Sequence, residues 1–280
     1  MPELPEVETV RRIIEPHIIG QAISGVSLRD FTAVLETTLP GIDPASTLIG
    51  RSFTRATRRG KYLTLHLDGG LYLITHLRMT GRLLLLPASD PPVRFEHVAI
   101  HLANGTDLRF GDQRKFGRLV LADQAAVDQL DRKLGPEPFA STLTAIWLHA
   151  ALARRPGPIK NALLDQHLIA GLGNIYVDEA LYRARINPLC PANSLTTDHV
   201  KRLLQAIRHV LNIALSNQGT TFSTFENPYG ETGSNANFLR AYNRAKSGES
   251  CGRCGTPFVR TVVAGRGTTY CPTCQPLPSS

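Results

Sequence analysis

The residues best spaced for chemistry lie at the two ends of the chain. Cys251, Cys254, Cys271 and Cys274 form two Cys-x2-Cys pairs separated by sixteen residues. Four thiolates at this spacing fill the tetrahedral shell of one structural Zn2+ and leave no position open for a substrate. The metal is therefore expected to fold a hairpin without taking part in a reaction. Two disulfides are the competing reading; a reducing compartment favours the metal. Cys190 stands apart from the cluster and reads as a bystander. Thr261-Val262-Val263 and Thr268-Thr269-Tyr270 flank Gly265-Arg266-Gly267, which predicts a turn with Arg266 at the tip of the hairpin, where a guanidinium can reach a phosphate.

At the other end stands Met1-Pro2-Glu3-Leu4-Pro5-Glu6. A small second residue permits removal of the initiator Met, which would leave Pro2 with a free secondary amine. An α-amino group titrates near roughly pH 7.7 to 8.0, so a neutral, nucleophilic fraction exists at working pH. Such an amine can attack the anomeric carbon of a deoxyribose, expel the base and leave a cationic iminium that favours loss of the C2′ proton. The ordinary alternative is that Pro2 starts a helix and Glu3 is a solvated carboxylate or a helix-dipole partner.

The elements around these residues read as two domains with a small appendage. A chain of 280 residues exceeds one minimal core. Pro5, Glu6 and Glu8 suit a first helical turn, and Val7, Val10 and Ile14 continue it until Pro16, where it is expected to end. From about Ile23 to Leu121 short alternating stretches predict an antiparallel two-sheet fold, with Asp68-Gly69-Gly70 turning between Tyr62–Leu67 and Leu71–Ile74. After Gly135-Pro136-Glu137-Pro138 the apolar spacing becomes helical, ending in a long helix that Thr196 or Thr197 can cap and Gly219 can close. Residues 220–248 are rich in Gly, Asn, Ser and Thr and predict a mobile functional loop. The fold class is thus α+β multidomain: an N-terminal β-sandwich with a leading helix over 1–132, a helical domain over 133–225, a loop over 226–248 and a zinc ribbon over 249–276. The 31 Lys and Arg against 23 Asp and Glu favour a polyanionic partner and raise nucleic acid above membrane lipid. No apolar run approaches the roughly eighteen residues of a membrane span, and no basic signal peptide opens the chain, so a soluble, cytoplasmic protein is expected, and it is read as a monomer.

Several segments together resemble bacterial formamidopyrimidine-DNA glycosylases. They are Pro2-Glu3-Leu4-Pro5-Glu6-Val7-Glu8-Thr9, Arg59-Gly60-Lys61-Tyr62-Leu63, His76-Leu77-Arg78-Met79-Thr80-Gly81 and Asp112-Gln113-Arg114-Lys115-Phe116-Gly117. Leu134-Gly135-Pro136-Glu137-Pro138, Ile159-Lys160, Leu163-Leu164-Asp165-Gln166, Gly171-Leu172-Gly173-Asn174-Ile175-Tyr176 and the Cys ribbon follow in order. The resemblance implies that the helical domain is a helix-two-turns-helix module. It also implies that double-stranded DNA carrying oxidised bases or abasic sites binds in the cleft between the sandwich and that module.

By the same resemblance Pro2 attacks the sugar, Glu3 moves protons, Lys61 is the donor in β-elimination and Arg266 acts in δ-elimination. Met79, Arg114 and Phe116 fill the hole that the flipped nucleotide leaves; read alone, Met79 and Phe116 would as readily be core. Lys115, Arg155, Lys160 and Asn174 are expected at phosphates, with solvated helix faces or a helix cap as the ordinary readings. His97, in Phe95-Glu96-His97-Val98, is read either as a DNA contact or as structural.

The chain departs from the family pattern at three places. Phe95 stands where relatives often carry His, Lys115 where Arg is usual, and Ala241-Tyr242-Asn243-Arg244 where Val-Tyr-Gly-Arg is usual. The neighbouring reading is an endonuclease VIII type that prefers oxidised pyrimidines, against which Leu4 and Asn174-Ile175-Tyr176 speak for the purine type. Two further readings are a catalytically silent damaged-DNA-binding zinc protein and an RNA-binding translation protein.

Overall fold

The computed structural model describes residues 1–222 and 225–277. Two compact units divide the chain: Met1–Lys133 with Leu215–Ala236, and Leu134–Ala214 with the described residues from Asn237 onward.

The first unit opens with α1 (Leu4–Ile18), which buries Val7, Val10, Ile14 and Ile18 along one face. Pro16 lies inside the last turn of this helix and does not end it at that point. Pro16 removes one bond of the ladder, the N–H that the Arg12 carbonyl would accept, a local cost that burying Ile18 offsets by roughly 1.5–3 kcal/mol. Nine strands follow: β1 (Ile23–Leu28), β2 (Leu35–Thr37), β3 (Phe53–Arg59), β4 (Tyr62–Leu67), β5 (Tyr72–His76), β6 (Gly81–Pro87), β7 (Glu96–Leu102), β8 (Thr106–Asp112) and β9 (Arg118–Ala122). They form sheets of order β1-β7-β8-β6 and β2-β9-β5-β4-β3. All strand pairs are antiparallel except β2 with β9. Leu63, Leu65 and Leu67 on one sheet and Val98, Ile100 and Leu102 on the other belong to one core, the period-2 pattern of a half-buried strand. Two helices complete this part, α2 (Pro44–Leu48) and α3 (Gln124–Lys133).

The segment from residue 220 to 236 is anchored to this unit where it is described. Glu226 pairs with Arg82 at 2.7 Å, Leu85 N–H donates to Pro228 O at 2.8 Å, and the Tyr229 hydroxyl lies 2.8 Å from His17 Nε2. Residues 223 and 224 of the expected loop lie outside the described residues.

In the second unit α4 (Ala145–Leu152), α5 (Ile159–Leu164), α6 (Asn174–Ala184) and α7 (Thr197–Ser216) precede the hairpin of β10 (Val259–Val263) and β11 (Arg266–Tyr270). Leu163, Tyr176, Leu181, Val200, Leu203 and Ile207 share one core. Thr196 caps α7 by accepting from His199 N–H at 3.3 Å. The chain leaves α7 through left-handed Gln218 (φ +57°) and Gly219 (φ +82°).

Candidate active site and nucleic-acid interface

The start of α1 is over-determined. Pro2 is buried and Glu3 is only 2% exposed, which rules out the solvated-carboxylate alternative for Glu3. Glu3 caps the helix through a reciprocal box: its carboxylate takes the Glu6 N–H, and Glu6 Oε2 accepts from Glu3 N–H at 2.7 Å. The other oxygen of Glu6 accepts from Thr220 N–H at 2.7 Å. A Cβ at Gly219 would stand 2.9 Å from that same oxygen, so only glycine lets the chain pass here. Residues 2 and 3 are thereby fixed to the segment that follows α7.

Lys61 follows Gly60 (φ +56°) in the two-residue turn between β3 and β4, and not on a strand, and is 6% exposed. It lies close enough to His76 to act on its charge. Burial above all, then the cations of Arg78 and Lys61, push the His76 imidazole down to about 3. His76 is thus neutral in the working range. Its Nδ1 accepts from Arg78 N–H at 2.9 Å, which leaves the ring proton on Nε2.

Two loops of the first unit carry the expected hole-filling residues, and both contain a non-glycine residue at positive φ: Arg78 (+53°) and Lys115 (+59°). Asp112 ties them together. Its Oδ1 takes the Thr80 hydroxyl and Arg114 N–H, and its Oδ2 takes Phe116 N–H at 2.8 Å and Gly117 N–H at 2.7 Å. This turn leaves Phe116 51% exposed, with the Arg114 guanidinium 5.0 Å over its ring. Arg114 Nη1 also lies 3.0 Å from Sδ of half-buried Met79. A core reading of Phe116 does not survive this exposure. Lys115 is exposed, with Nζ 5.4 Å from the Phe31 ring centroid. The DNA-contact reading of His97 is corrected: it is 3% exposed, and Nε2 holds the Asp112 carbonyl at 2.8 Å.

In the second unit the chain between α5 and α6 is shaped by Gln166. Its amide donates to Leu164 O and Leu172 O, and its Oε1 accepts from Gly171 N–H. Gly171 sits at φ +94° and Gly173 caps α6. Asn174 opens that helix, and its Nδ2 donates to Gly267 O at 3.0 Å. Arg155 pairs with Asp165 at 2.8 Å at the base of the same turn.

Lys160 is fully buried, which corrects its reading as a phosphate contact. Nζ lies 2.6 Å from Asp178 Oδ1 and 3.2 Å from Gly267 O, while Asp178 Oδ2 accepts from Thr269 N–H at 3.1 Å. Burial pushes the Asp178 carboxyl up to about 6, with Lys160 opposing that rise. The same group of bonds docks β11 onto α5 and α6. The hairpin turn is Ala264 (φ +52°) and Gly265 (φ +67°), a two-residue primed turn, so Arg266 pairs with Val263 as the first residue of β11. The expected Gly265-Arg266-Gly267 turn was one position off. Arg266 is exposed.

The four Cys Sγ atoms lie within 4.8 Å of one another, with 3.8 Å between Cys251 and Cys274 and 3.5 Å between Cys254 and Cys271. Bonds of about 2.3 Å to a tetrahedral zinc place sulfurs about 3.8 Å apart, so the set fits one structural Zn2+. Just before the ribbon, buried Glu179 accepts the N–H groups of Arg240, Ala241 and Tyr242 at 2.8–3.0 Å and so fixes the start of the divergent Ala241–Arg244 stretch.

Asp112, His76 and Gln166 lie in the motifs quoted above but were given no part in the site, and Asp178 and Glu179 lie outside those motifs. The signal available for the last two was an acidic pair on a helix otherwise read as core.

Three domains match in order: the formamidopyrimidine-DNA glycosylase N-terminal domain over residues 1–119, its H2TH domain over 134–226, and a zinc finger found in FPG and IleRS over 248–277. A formamidopyrimidine-DNA glycosylase of Herpetosiphon aurantiacus is 44% identical over 275 residues, covering 98% of this chain and 100% of its own. A Lactococcus lactis Fpg variant in complex with Fapy-dG-containing DNA superposes with a TM-score of 0.90 at 36% identity, covering 98% of this chain and 100% of that one. The wild-type Lactococcus lactis enzyme with oxidised-pyrimidine-containing DNA gives 0.89, with the same identity and coverage. With three domain matches in sequence order and a relative this similar along its whole length, the chain belongs to the formamidopyrimidine-DNA glycosylase family.

Proposed function

We propose that the chain is a bifunctional DNA glycosylase and apurinic/apyrimidinic lyase of base excision repair that removes oxidised purines, 8-oxoguanine and formamidopyrimidines, from double-stranded DNA. With Met1 removed, the Pro2 nitrogen attacks C1′ of the damaged nucleotide and the C1′–N bond breaks. The departing base takes up a proton, and the Glu3 carboxyl handles protons at the sugar or base. The sugar ring opens to a Pro2 iminium, which draws electrons from the C2′–H bond so that the 3′ phosphate leaves by β-elimination. A second elimination expels the 5′ phosphate. Lys61 serves the first elimination and Arg266 the second. Met79, Arg114 and Phe116 enter the helix where the nucleotide was, while Lys115, Arg155 and Asn174 contribute positive charge or amide donors near the backbone. The zinc gives its ribbon a fold and takes no part in the bond changes. We place the work in the cytoplasm, carried out by one chain per lesion.

The observation that carries this reading is the capping box. It buries Glu3 and holds residues 2 and 3 at one point of α1, the preorganisation a nucleophile needs. The complex of a relative with oxidised-pyrimidine DNA keeps a broader substrate range in view.

Borohydride trapping on duplexes containing 8-oxoguanine, formamidopyrimidine or thymine glycol tests it, together with mass spectrometry of the mature N-terminus. A covalent adduct through Pro2, strongest on the purine lesions, is expected. Glu3→Gln should lose base excision while keeping most cleavage at preformed abasic sites; equal loss of both would contradict the division of roles, and full activity with Met1 retained would end the proline mechanism.

A further inference from the structure

A groove at the C-terminal end of α6 has no part in the proposed reaction. Its cavity of about 450 Å3 is lined by Arg183, Arg185, Arg202, Gln205, His209 and Arg253 with two alanines, and no carboxylate faces it. Three elements contribute: the end of α6, one face of α7, and the knuckle between Cys251 and Cys254. Arg202, Gln205 and His209 are spaced to share a side of α7.

Arg183, Arg185 and Arg202 form no ion pair among the described residues. Arg253 is held in place by a 2.7 Å bond from Nη1 to Tyr182 O and by the Tyr182 ring, 4.3 Å below its guanidinium. Arg185 occupies the helix cap at φ +58°, a conformation that a non-glycine residue adopts only with strain. The carbonyl end of a helix favours a cation. That accounts for one or two of these arginines, whereas four guanidiniums around one cavity repel each other unless an anion lies among them. The field is felt locally: burial first and the Arg183 charge second hold the His209 imidazole below its ordinary value.

The groove is separate from the turn at Asn174. The eleven residues of α6 put roughly 16 Å of helix between them. The positive surface also continues, since Arg183 and Arg253 line an adjoining cavity of about 420 Å3 with Arg240 and with Arg244, whose charge is met there by Glu249. That is more guanidiniums than a single phosphate can engage, and it suits a run of phosphates along a strand.

We propose that this groove binds the phosphate backbone of a second nucleic-acid segment while the candidate active site holds a damaged one. The inference rests on the DNA-glycosylase reading in so far as the partner is DNA. It gives the protein two points of contact with a polyanion, the arrangement required for passing directly between DNA segments.

The test uses the full chain saturated with a duplex carrying a non-cleavable abasic analogue, to which a second, labelled, undamaged duplex is added while fluorescence anisotropy is followed. The wild-type complex should capture the second duplex. In R183Q/R202Q that capture should weaken at least tenfold, and its log–log salt dependence should be shallower by about two, with affinity for the first duplex, excision rate, zinc content and Tm unchanged. Single variants R183Q and R202Q, each with an intermediate loss, guard against a folding defect in the pair. Failure of the wild-type complex to take a second duplex, or equal capture by the variant, would overturn the proposal. Binding of pyrophosphate or ADP, lost in R183Q/R202Q, by a complex that takes no second duplex would reassign the groove to a small phosphate and overturn the backbone reading. Failure of the first duplex to bind would instead count against the glycosylase reading.

Discussion

Asp112 in the first unit and Asp178 in the second are each 1% exposed, and each organises the candidate site around it, yet their charges are answered differently. Asp112 is met by a hydroxyl and three backbone N–H groups, all from its own turn and the neighbouring Thr80 loop. Asp178 is met by the Lys160 ammonium and one N–H from β11. A carboxylate that shapes a turn next to itself in the chain can be satisfied by the amides the turn brings. One that joins α5, α6 and a hairpin some ninety residues onward has few local amides to recruit, so a second charged side chain supplies the donors. The first device needs only local chain geometry; the second needs the whole unit folded. A buried ion pair of this kind adds little net stability and makes the structure sensitive to loss of either partner.

The sharpest way to break the comparison is K160M. It leaves Asp178 buried without its cation, and a loss of roughly 3–5 kcal/mol in unfolding free energy is expected. K160M/D178L should recover much of that loss. The double variant should still process lesions through Pro2 while shifting products from δ- towards β-elimination, because the hairpin bearing Arg266 loses its tie through Nζ to Gly267 O. Denaturant melts and gel analysis of the two products read both effects. Recovery of stability without a change in product ratio would confine the pair to folding.

D112A should cost about 3 kcal/mol, less than K160M, since the Phe116 and Arg114 amides can turn to water while the Gly117 amide stays buried. Its effect on excision should exceed its effect on stability. The turn bearing Arg114 and Phe116 loses its shape, whereas the hairpin side is untouched.

His76 gives the first unit a pH dependence. Its folded value, about 3, lies below the ordinary imidazole value of 6.5, so the unfolded chain takes up a proton first as the pH falls. Stability is therefore complete above 6.5 and declines towards 3, with about 2 kcal/mol lost between pH 6.5 and 5. H76Q should flatten that slope in denaturant melts at the two pH values. An unchanged slope would mean that the imidazole is not held neutral.

The parts legible in the sequence were those whose signal is local or periodic. The Cys spacing, the alternating Leu63, Leu65 and Leu67, the Gly171–Asn174 turn and the face of α7 all carry their reason within a few residues. The helix α3 was not legible because its apolar stripe is short, Ala126, Val127 and Leu130, and none of the three is fully buried. Lys160 was misjudged for the opposite reason: a lysine on a short helix looks solvated, and its partners Asp178, Gly267 and Thr269 arrive from distant segments. His97 failed similarly, since its bond goes to a carbonyl, which leaves no trace in side-chain chemistry. The hairpin register slipped by one because Ala264 adopts a left-handed conformation that the neighbouring glycines seemed better suited to take.

Phe116 is where stability and function should separate most cleanly. Its side chain is half exposed, its ring carries an arginine and its N–H belongs to Asp112. Truncation to alanine removes the ring and leaves the backbone bond, so F116A should melt within about 0.5 kcal/mol of the wild type. Filling the space of an extruded nucleotide lowers the cost of unstacking it, and that cost is smallest where the bases opposite and beside the lesion are already unpaired. Excision from a matched duplex should therefore fall at least tenfold in F116A, and the deficit should shrink when the lesion sits in a small bubble. A deficit equal in both substrates would place Phe116 outside the unstacking step and return the work of that step to Met79 and Arg114.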